Sequence, residues 1–258
     1  FPEVPENPTR HDAELALEQL AEVFCDFPYV DKAASMVPIA AILTVIARSA
    51  INGACPAFIL DATTRGSGKT LQADAISAIT LGRSAARKSY PNEDEEIGKV
   101  LAAYALAGAR LILFDNIPTT REFGGGELDQ AITARDSVEI RVLGRSEVRR
   151  LPWNAVIMAS GNNIALSEDT VRRVLIARLE TQEENPEDRT NFRHPMLFEW
   201  ILANRPRLVV AALTILRAFT RLGFHRDEEV KTWGSFESWS RLVPRAIVFA
   251  GGADPMLA

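Results

Sequence analysis

The stretch Pro56-Ala-Phe-Ile-Leu-Asp-Ala-Thr-Thr-Arg-Gly-Ser-Gly-Lys-Thr70 decides how the rest of the chain is read. Ala57 to Leu60 is an unbroken apolar run, the pattern of a strand buried on both faces. A glycine-rich turn ends in Gly68-Lys69-Thr70, and Leu71 to Leu81 then keeps helical spacing. Strand, glycine turn and helix in that order are the context in which a phosphate-binding loop works. Glycines let several backbone N–H groups face one anion, and the helix adds the positive end of its dipole there. On this reading the backbone from Arg65 through Gly66, Ser67, Gly68, Lys69, Thr70 and Leu71 cradles the phosphates of ATP. Lys69 reaches the β- and γ-phosphates, and the Thr70 hydroxyl ligates Mg²⁺. Thr63 stands where such loops usually begin with glycine. That first residue shapes the exit from the strand and touches no phosphate, so the change is tolerable. A glycine turn that carries a lysine by chance is the competing reading.

Length and composition fit this picture. A chain of 258 residues that is 47% hydrophobic suffices for one large α/β domain with a helical appendage. The net charge of −5 excludes a wholly basic nucleic-acid coat but not local basic patches. Cys25 and Cys55 have neither metal nor redox spacing, which points to a reducing, cytoplasmic setting. His11, His194 and His225 form no ligand cluster. The longest apolar run, Met36 to Ile51, contains Pro38, Thr44, Arg48 and Ser49, so a buried helix is expected and no membrane partner. The chain begins at Phe1 rather than methionine, which points to a fragment of something longer.

Pro2, Pro5 and Pro8 make an extended leader. Thr9 with Asp12 reads as a capping box that opens a helix to about Phe24, and a second helix spans Asp31 to Ile51. A strand over Ala85 to Ser89 and a helix from Asn92 to Gly108 follow the loop helix. Arg110-Leu-Ile-Leu-Phe-Asp-Asn116 reads as a buried parallel strand whose C-terminal edge carries Asp115, where ligands bind in open α/β sheets. Downstream of a phosphate loop, this carboxylate is a second ligand for Mg²⁺ beside Thr70. A short helix covers Glu127 to Ala134. Val138 to Leu151 then alternates about Gly144, a hairpin bearing Arg141, Arg145, Arg149 and Arg150. That hairpin is a solvated edge or a basic finger that touches nucleic-acid phosphates. Ala155 to Ala159 is a further buried strand; it leads to Asn162 and Asn163, amides able to hold a water near the γ-phosphate. Arg172 and Arg173 precede a last strand, Val174 to Leu179, where an arginine can reach a neighbour's γ-phosphate. From Pro195 the spacing is helical, with a break at Asn204-Arg-Pro206, and a last helix covers Phe236 to Phe249.

The order of the phosphate loop, Phe114-Asp-Asn116, the hairpin, Ser160-Gly-Asn-Asn163 and Arg172-Arg173 resembles the AAA+ ATPase module of phage and mobile-element primase–helicase replication proteins. These are related to superfamily 3 and minichromosome-maintenance-like helicases. "DFPYVDKAASMVPIAAILTVIARSAI", "DEEIGKVL" and "SFESWSRLVPRAIVFAGGADP" carry the likeness across most of the chain. The resemblance implies a P-loop NTPase fold of AAA+ type, a parallel sheet sandwiched by helices, with N-terminal helices and a C-terminal helical lid. Residues 1–54 are then a helical leader, 55–182 the ATPase core with the hairpin 138–151 inserted, and 183–258 the lid region. It further implies a homo-oligomer, a hexameric ring, with ATP between subunits. Lys69, Thr70 and Asp115 serve the nucleotide from one side, Asn162 or Asn163 positions the attacking water, and Arg172 or Arg173 is the finger supplied in trans. The hairpin, with Gly144 and Arg145 at its tip and Arg141 and Arg149 on its arms, tracks single-stranded DNA. A primase or other DNA-binding domain is expected upstream.

One position departs from that family. A glutamate usually follows the magnesium aspartate to polarise water, and Asn116 stands there instead. An amide orients water but cannot accept its proton. Glu96, or less favourably Glu95, is the candidate replacement; as helix-start acids they equally answer the dipole. The sequence thus supports an ATP-driven DNA translocase of a mobile element. A slowly hydrolysing, ATP-gated assembly or loader module is the alternative, and a degenerate interaction scaffold is the third.

Overall fold

The computed structural model of the protein describes residues 2–141, 148–181, 189–223 and 230–258. The first helix, α1 (Arg10–Val23), opens on the expected capping box: Asp12 N–H donates to Thr9 Oγ1 at 3.1 Å, and Thr9 N–H to Asp12 Oδ2 at 2.7 Å. Asp31 caps α2 (Lys32–Ala47), which runs on through Pro38 in its second turn although proline there removes one helical hydrogen bond. By length and composition this segment could cross a membrane, yet most of it is buried within the fold.

The apolar run around Ile59 is strand β1 (Ala57–Ala62), buried at every position. The loop after it leads into α3 (Lys69–Leu81), closed by Gly82 at a left-handed φ of 75°. β2 (Arg87–Lys88) is shorter than the strand expected over Ala85 to Ser89, because only two residues reach the neighbouring strand at this exposed edge. Then follow α4 (Asp94–Leu106), β3 (Leu111–Ile117), the short β4 (Glu122–Phe123) and α5 (Gly126–Ile132). The hairpin is β5 (Ser137–Arg141) and β6 (Val148–Pro152), antiparallel from Ser137 opposite Pro152 to Arg141 opposite Val148. After it come β7 (Val156–Asn162), β8 (Ala165–Leu166) and β9 (Val174–Leu179).

Five strands form one parallel sheet in the order β2-β3-β7-β1-β9. The chain therefore leaves β1 for the far edge at β2, builds back inward through β3 to β7 beside β1, and finishes with β9 on the other side. All five C-terminal ends lie along one edge, and the glycine loop leaves β1 at that edge.

One correction concerns the C-terminal third. The break expected at Asn204-Arg-Pro206 does not occur, and α6 runs unbroken over Leu197–Ala218. Pro206 removes one helical N–H, but tertiary bonds hold the turn. Arg205 donates from Nε to the carbonyls of Ala78 and Ile79 at 3.1 and 3.0 Å, and from Nη2 to that of Thr80 at 3.2 Å. These are end-of-helix carbonyls of α3, which need outside donors. Asn204 Nδ2 also donates to the Trp200 carbonyl at 2.8 Å. The last helix, α7 (Glu237–Phe249), lays Trp239 edge-on against Phe58 of β1.

Trp239 is fully buried, and its indole N–H donates to Thr44 Oγ1 of α2 at 2.8 Å. Thr44→Val keeps the shape and strands that N–H. Urea denaturation should therefore show a loss of about 1–3 kcal/mol of stability with an unchanged m-value.

Candidate functional site

The glycine loop takes its shape from two left-handed residues, Gly66 at φ 75° and Gly68 at φ 93°. Gly68 is also the N-cap of α3, and a Cβ there would come within 2.9 Å of the Phe27 ring, so glycine is required twice over. Ser67 Oγ donates to the Thr64 carbonyl at 3.1 Å, and Lys69 Nζ folds over the loop to Thr64 O and Ser67 Oγ, both at 3.1 Å. Half-burial pulls the Lys69 ammonium below its ordinary pKa, while Asp61 and Asp115 act the other way. Arg65, Thr70 and Leu71 are exposed around this loop and the first turn of α3, whose leading N–H groups are unpaired within the helix.

Two clusters flank the loop, one on each face of the sheet. On the first face, Ser160 Oγ donates to Asp115 Oδ1 and accepts from Asn116 N–H at 3.2 Å. Arg87 Nε lies 3.7 Å from Asp115 Oδ2, and its Nη2 is 2.7 Å from Asp74. Asn116 sits at φ 58°, at a register shift in β3 between Phe114 and Ile117. Strand alternation puts Asn162 on the same face as Ser160. The Asn162 Oδ1 atom is buried and has no hydrogen-bond partner.

On the opposite face lies a group the sequence reading did not single out. Asp61, in the buried run of β1, is ion-paired with Arg178 Nη1 across β9, and Oδ1 of Asp61 accepts from Ile164 N–H at 3.2 Å. Arg178 Nη2 donates to Asn163 Oδ1 at 2.8 Å. Asn163, at φ 48°, donates its own N–H to the Ala62 carbonyl at 3.0 Å. The two asparagines therefore do different things: Asn162 faces the Asp115 side, and Asn163 ties the turn after β7 to the root of the loop. The signal available in the sequence was Asp61 itself, since a carboxylate inside a buried strand needs a partner.

Beside the loop is a cavity of about 350 Å³, walled by Phe27, Leu71, Phe192, Pro195 and Leu197 and bounded by Gly66 to Gly68. The wall from Arg189 to Pro195 is pinned to the end of α1. Asp26 accepts from Arg193 N–H at 2.7 Å and pairs with Arg189 at 3.4 Å. Glu22 meets Arg193 and His194, each at 3.2 Å, and Arg207 at 3.6 Å. The Arg189 guanidinium also covers the Phe192 ring at 4.9 Å.

The remaining expected residues sit apart from this cluster. Glu96 is paired with Lys99 at 2.7 Å, Glu95 with the same Lys99 at 3.1 Å, and both are largely exposed. Arg173 is one-quarter exposed and tied to Asp129 of α5 at 3.2 Å. Arg172, with its side chain 72% exposed, pairs with the exposed Asp169 within its own turn at 2.6 Å. Arg149 is exposed on β6, and Arg141 ends β5. Gly144 and Arg145 lie outside the described residues.

Hard oxygen donors of the kind Mg²⁺ takes are present at the loop as the Thr70 hydroxyl and the Asp115 carboxylate. Among the described residues there is no group of three or more His, Cys, Asp or Glu that would hold a metal by protein ligands alone.

No protein-family model and no characterised protein sequence matches this chain. Among solved structures it is similar to the A form apo structure of the NrS-1 C-terminal region, with TM-score 0.50 and 17% identity over 83% of this chain and 46% of that one. A second structure of the same region aligns with TM-score 0.45 and 16% identity, over 82% of this chain and 45% of that one. The chain spans about half the length of these structures. At this identity the likeness is one of fold.

The two arginines should separate in stability measurements. Arg173→Ala removes a partly buried ion pair that joins two elements and should lower the melting temperature. Arg172→Ala breaks an exposed pair within one turn and should leave stability within about 0.5 kcal/mol of the parent.

Proposed function

We propose that this chain is a P-loop ATPase of AAA+ type that drives a DNA replication protein, with hydrolysis at the contacts between its copies in a ring. The observation that carries this reading is Asn162. Its amide oxygen is buried without a partner, on the same face as Asp115, at the sheet edge where the glycine loop begins. A buried acceptor left empty costs about 1–3 kcal/mol, and a ligand or a water held at the γ-phosphate offsets that cost.

In this mechanism the N–H groups at Gly66 to Thr70 bind the phosphates, and Lys69 exchanges its bonds to Thr64 and Ser67 for phosphate oxygens. Thr70 and Asp115 would hold Mg²⁺, which would supply charge neutralisation of the phosphates when bound. Ser160 keeps the Asp115 carboxylate oriented. The apolar cavity behind Gly66 to Gly68 takes the base and excludes water from one side of the phosphates. Asn162 orients the attacking water. Arg172, exposed and held only by a same-turn acid, is the better placed of the two arginines to reach a neighbouring copy. The hairpin formed by β5 and β6 carries Arg149 and reaches for a single strand of DNA, and an upstream DNA-binding or primase domain completes the protein.

A second reading, a slowly hydrolysing assembly module, is favoured by the state of the carboxylates. Asp61 is saturated by Arg178 and Ile164 N–H, Asp115 is held by Ser160, and Glu96 is paired with Lys99. Each of the three carboxylates is thus already engaged by a donor or a cation.

Steady-state ATP hydrolysis over a protein-concentration series, with and without single-stranded DNA and with Lys69→Ala as the blank, separates the two. Turnover per subunit that rises with concentration and with DNA supports the motor; tight binding of Mg·ATP with a rate equal to the blank supports the assembly module. Within the motor reading, Arg172→Ala should lose about 10³–10⁵ in rate. Mixing it with Lys69→Ala should restore part of the activity, since each copy then supplies what the other lacks. Activity unchanged in Arg172→Ala would remove the trans finger.

A further inference from the structure

The Asp61–Arg178–Asn163 group has no part in the mechanism above, and its geometry gives it one. The Arg178 side chain links the ends of three adjacent strands: its own β9, β1 through the Asp61 carboxylate, and the turn leaving β7 through the Asn163 carboxamide. A guanidinium can do this because its donors form a rigid planar fork; an ammonium is a point charge and cannot span both oxygens in fixed geometry.

Each bond has a directional consequence. Because Arg178 Nη2 donates to Asn163 Oδ1, the Asn163 carboxamide is set with its NH₂ on the other side, where Nδ2 lies 3.5 Å from the Thr63 carbonyl. Thr63 is the first residue beyond β1, and Asn163 N–H bonds the Ala62 carbonyl just before it. The turn that aims Asn162 is thereby fixed to the root of the glycine loop at two points. Ile164 N–H, bonded to Asp61, closes the far side of the same turn.

We propose that Arg178 is a positioning residue for the proposed ATPase reaction: acting through Asn163, it holds Asn162 and the phosphate loop in fixed relation. This rests on the nucleotide reading above. The Arg178 side chain is about one-third exposed and the Asp61 side chain 5%, so the clasp is rigid beneath and open to solvent only at its outer edge. The phosphate-binding N–H groups and Lys69 lie on the loop itself, and no hydrogen bond of the clasp reaches them; Asp61 acts on Lys69 only through its charge, which neither Arg178→Lys nor Asn163→Ala removes. Its loss therefore disturbs where the water is held, not how tightly nucleotide binds.

Arg178→Lys keeps a cation opposite the buried Asp61 and so keeps the fold. Asn163→Ala leaves the ion pair untouched. Each should lower kcat by about tenfold to a hundredfold, as small misplacements of reacting groups do, while KM for ATP and the affinity for a fluorescent ATP analogue stay within about twofold. Residues acting through one another are non-additive, so the double variant should be no slower than the slower single one. A wild-type kcat in either single variant, or a double variant whose loss is the product of the two, would overturn the inference. So would a parallel loss of nucleotide affinity. If the parent protein itself turned over no faster than Lys69→Ala, the nucleotide reading and this inference would fall together. A working parent with indifferent Arg178→Lys and Asn163→Ala would remove the inference alone.

Discussion

Burial of β1 on both faces is the constraint on which the rest depends. A central parallel strand must be covered above and below, and parallel neighbours must be reached by long crossovers. The chain satisfies both at once: α2, α3 and α7 supply cover, and each crossover returns the next strand in the same direction. The consequence is that β1, β3, β7 and β9 all finish along one edge. The candidate site lies there because topology brings the strand ends together, not because polar residues are close in sequence. Asp61 and Arg178, or Asp115 and Ser160, meet only through the sheet.

That geometry also explains which parts were legible. Strands β1, β3 and β7 are continuous apolar runs because they are buried on both faces, and the runs can be read directly. The caps at Thr9 and Asp31 are local chemistry and were equally legible. Edge strand β2 was overread, since Arg87 and Lys88 are exposed and nothing in their pattern marks where pairing stops. The break expected in α6 failed for a related reason. Proline in a helix interior costs roughly 3 kcal/mol by local rules. The compensation comes from Arg205 bonding the end of α3, more than a hundred residues away in the chain. The cavity wall from Arg189 to Pro195 was unreadable because its attachments lie far away in the chain, Glu22 at the end of the first helix and Asp26 in the turn just after it.

At the candidate site, the sequence identified the glycine loop, Asp115 and the asparagine pair, and it left Asn162 and Asn163 open. Alternation along β7 separates them. Asn162 shares the face of Ser160, and Asn163, one residue on, turns into a left-handed conformation and is drawn to Arg178. Arg172 and Arg173 divide in the same manner, by partner and not by residue type: Arg173 is committed to Asp129 of α5, whereas Arg172 is not.

The backbone also gives a physical reason for the asparagine after Asp115. The register of β3 against β7 shifts between Phe114 and Ile117, and Asn116 takes up the irregularity at a φ of 58°. Among non-glycine residues, Asn and Asp tolerate that region best, and a long side chain such as Glu gains nothing to offset the strain. Such irregularities occur beside functional sites, where they re-aim a side chain. Here the re-aimed backbone sends the Asn116 N–H to Ser160, which in turn holds Asp115. Asn116 thus lets the strand bend and, through Ser160, helps lock its neighbouring carboxylate. A glutamate at this position would have to relax the bend, and relaxing it would release Ser160 from Asn116. The left-handed backbone at residue 116 and the orientation of Asp115 are two results of one local distortion.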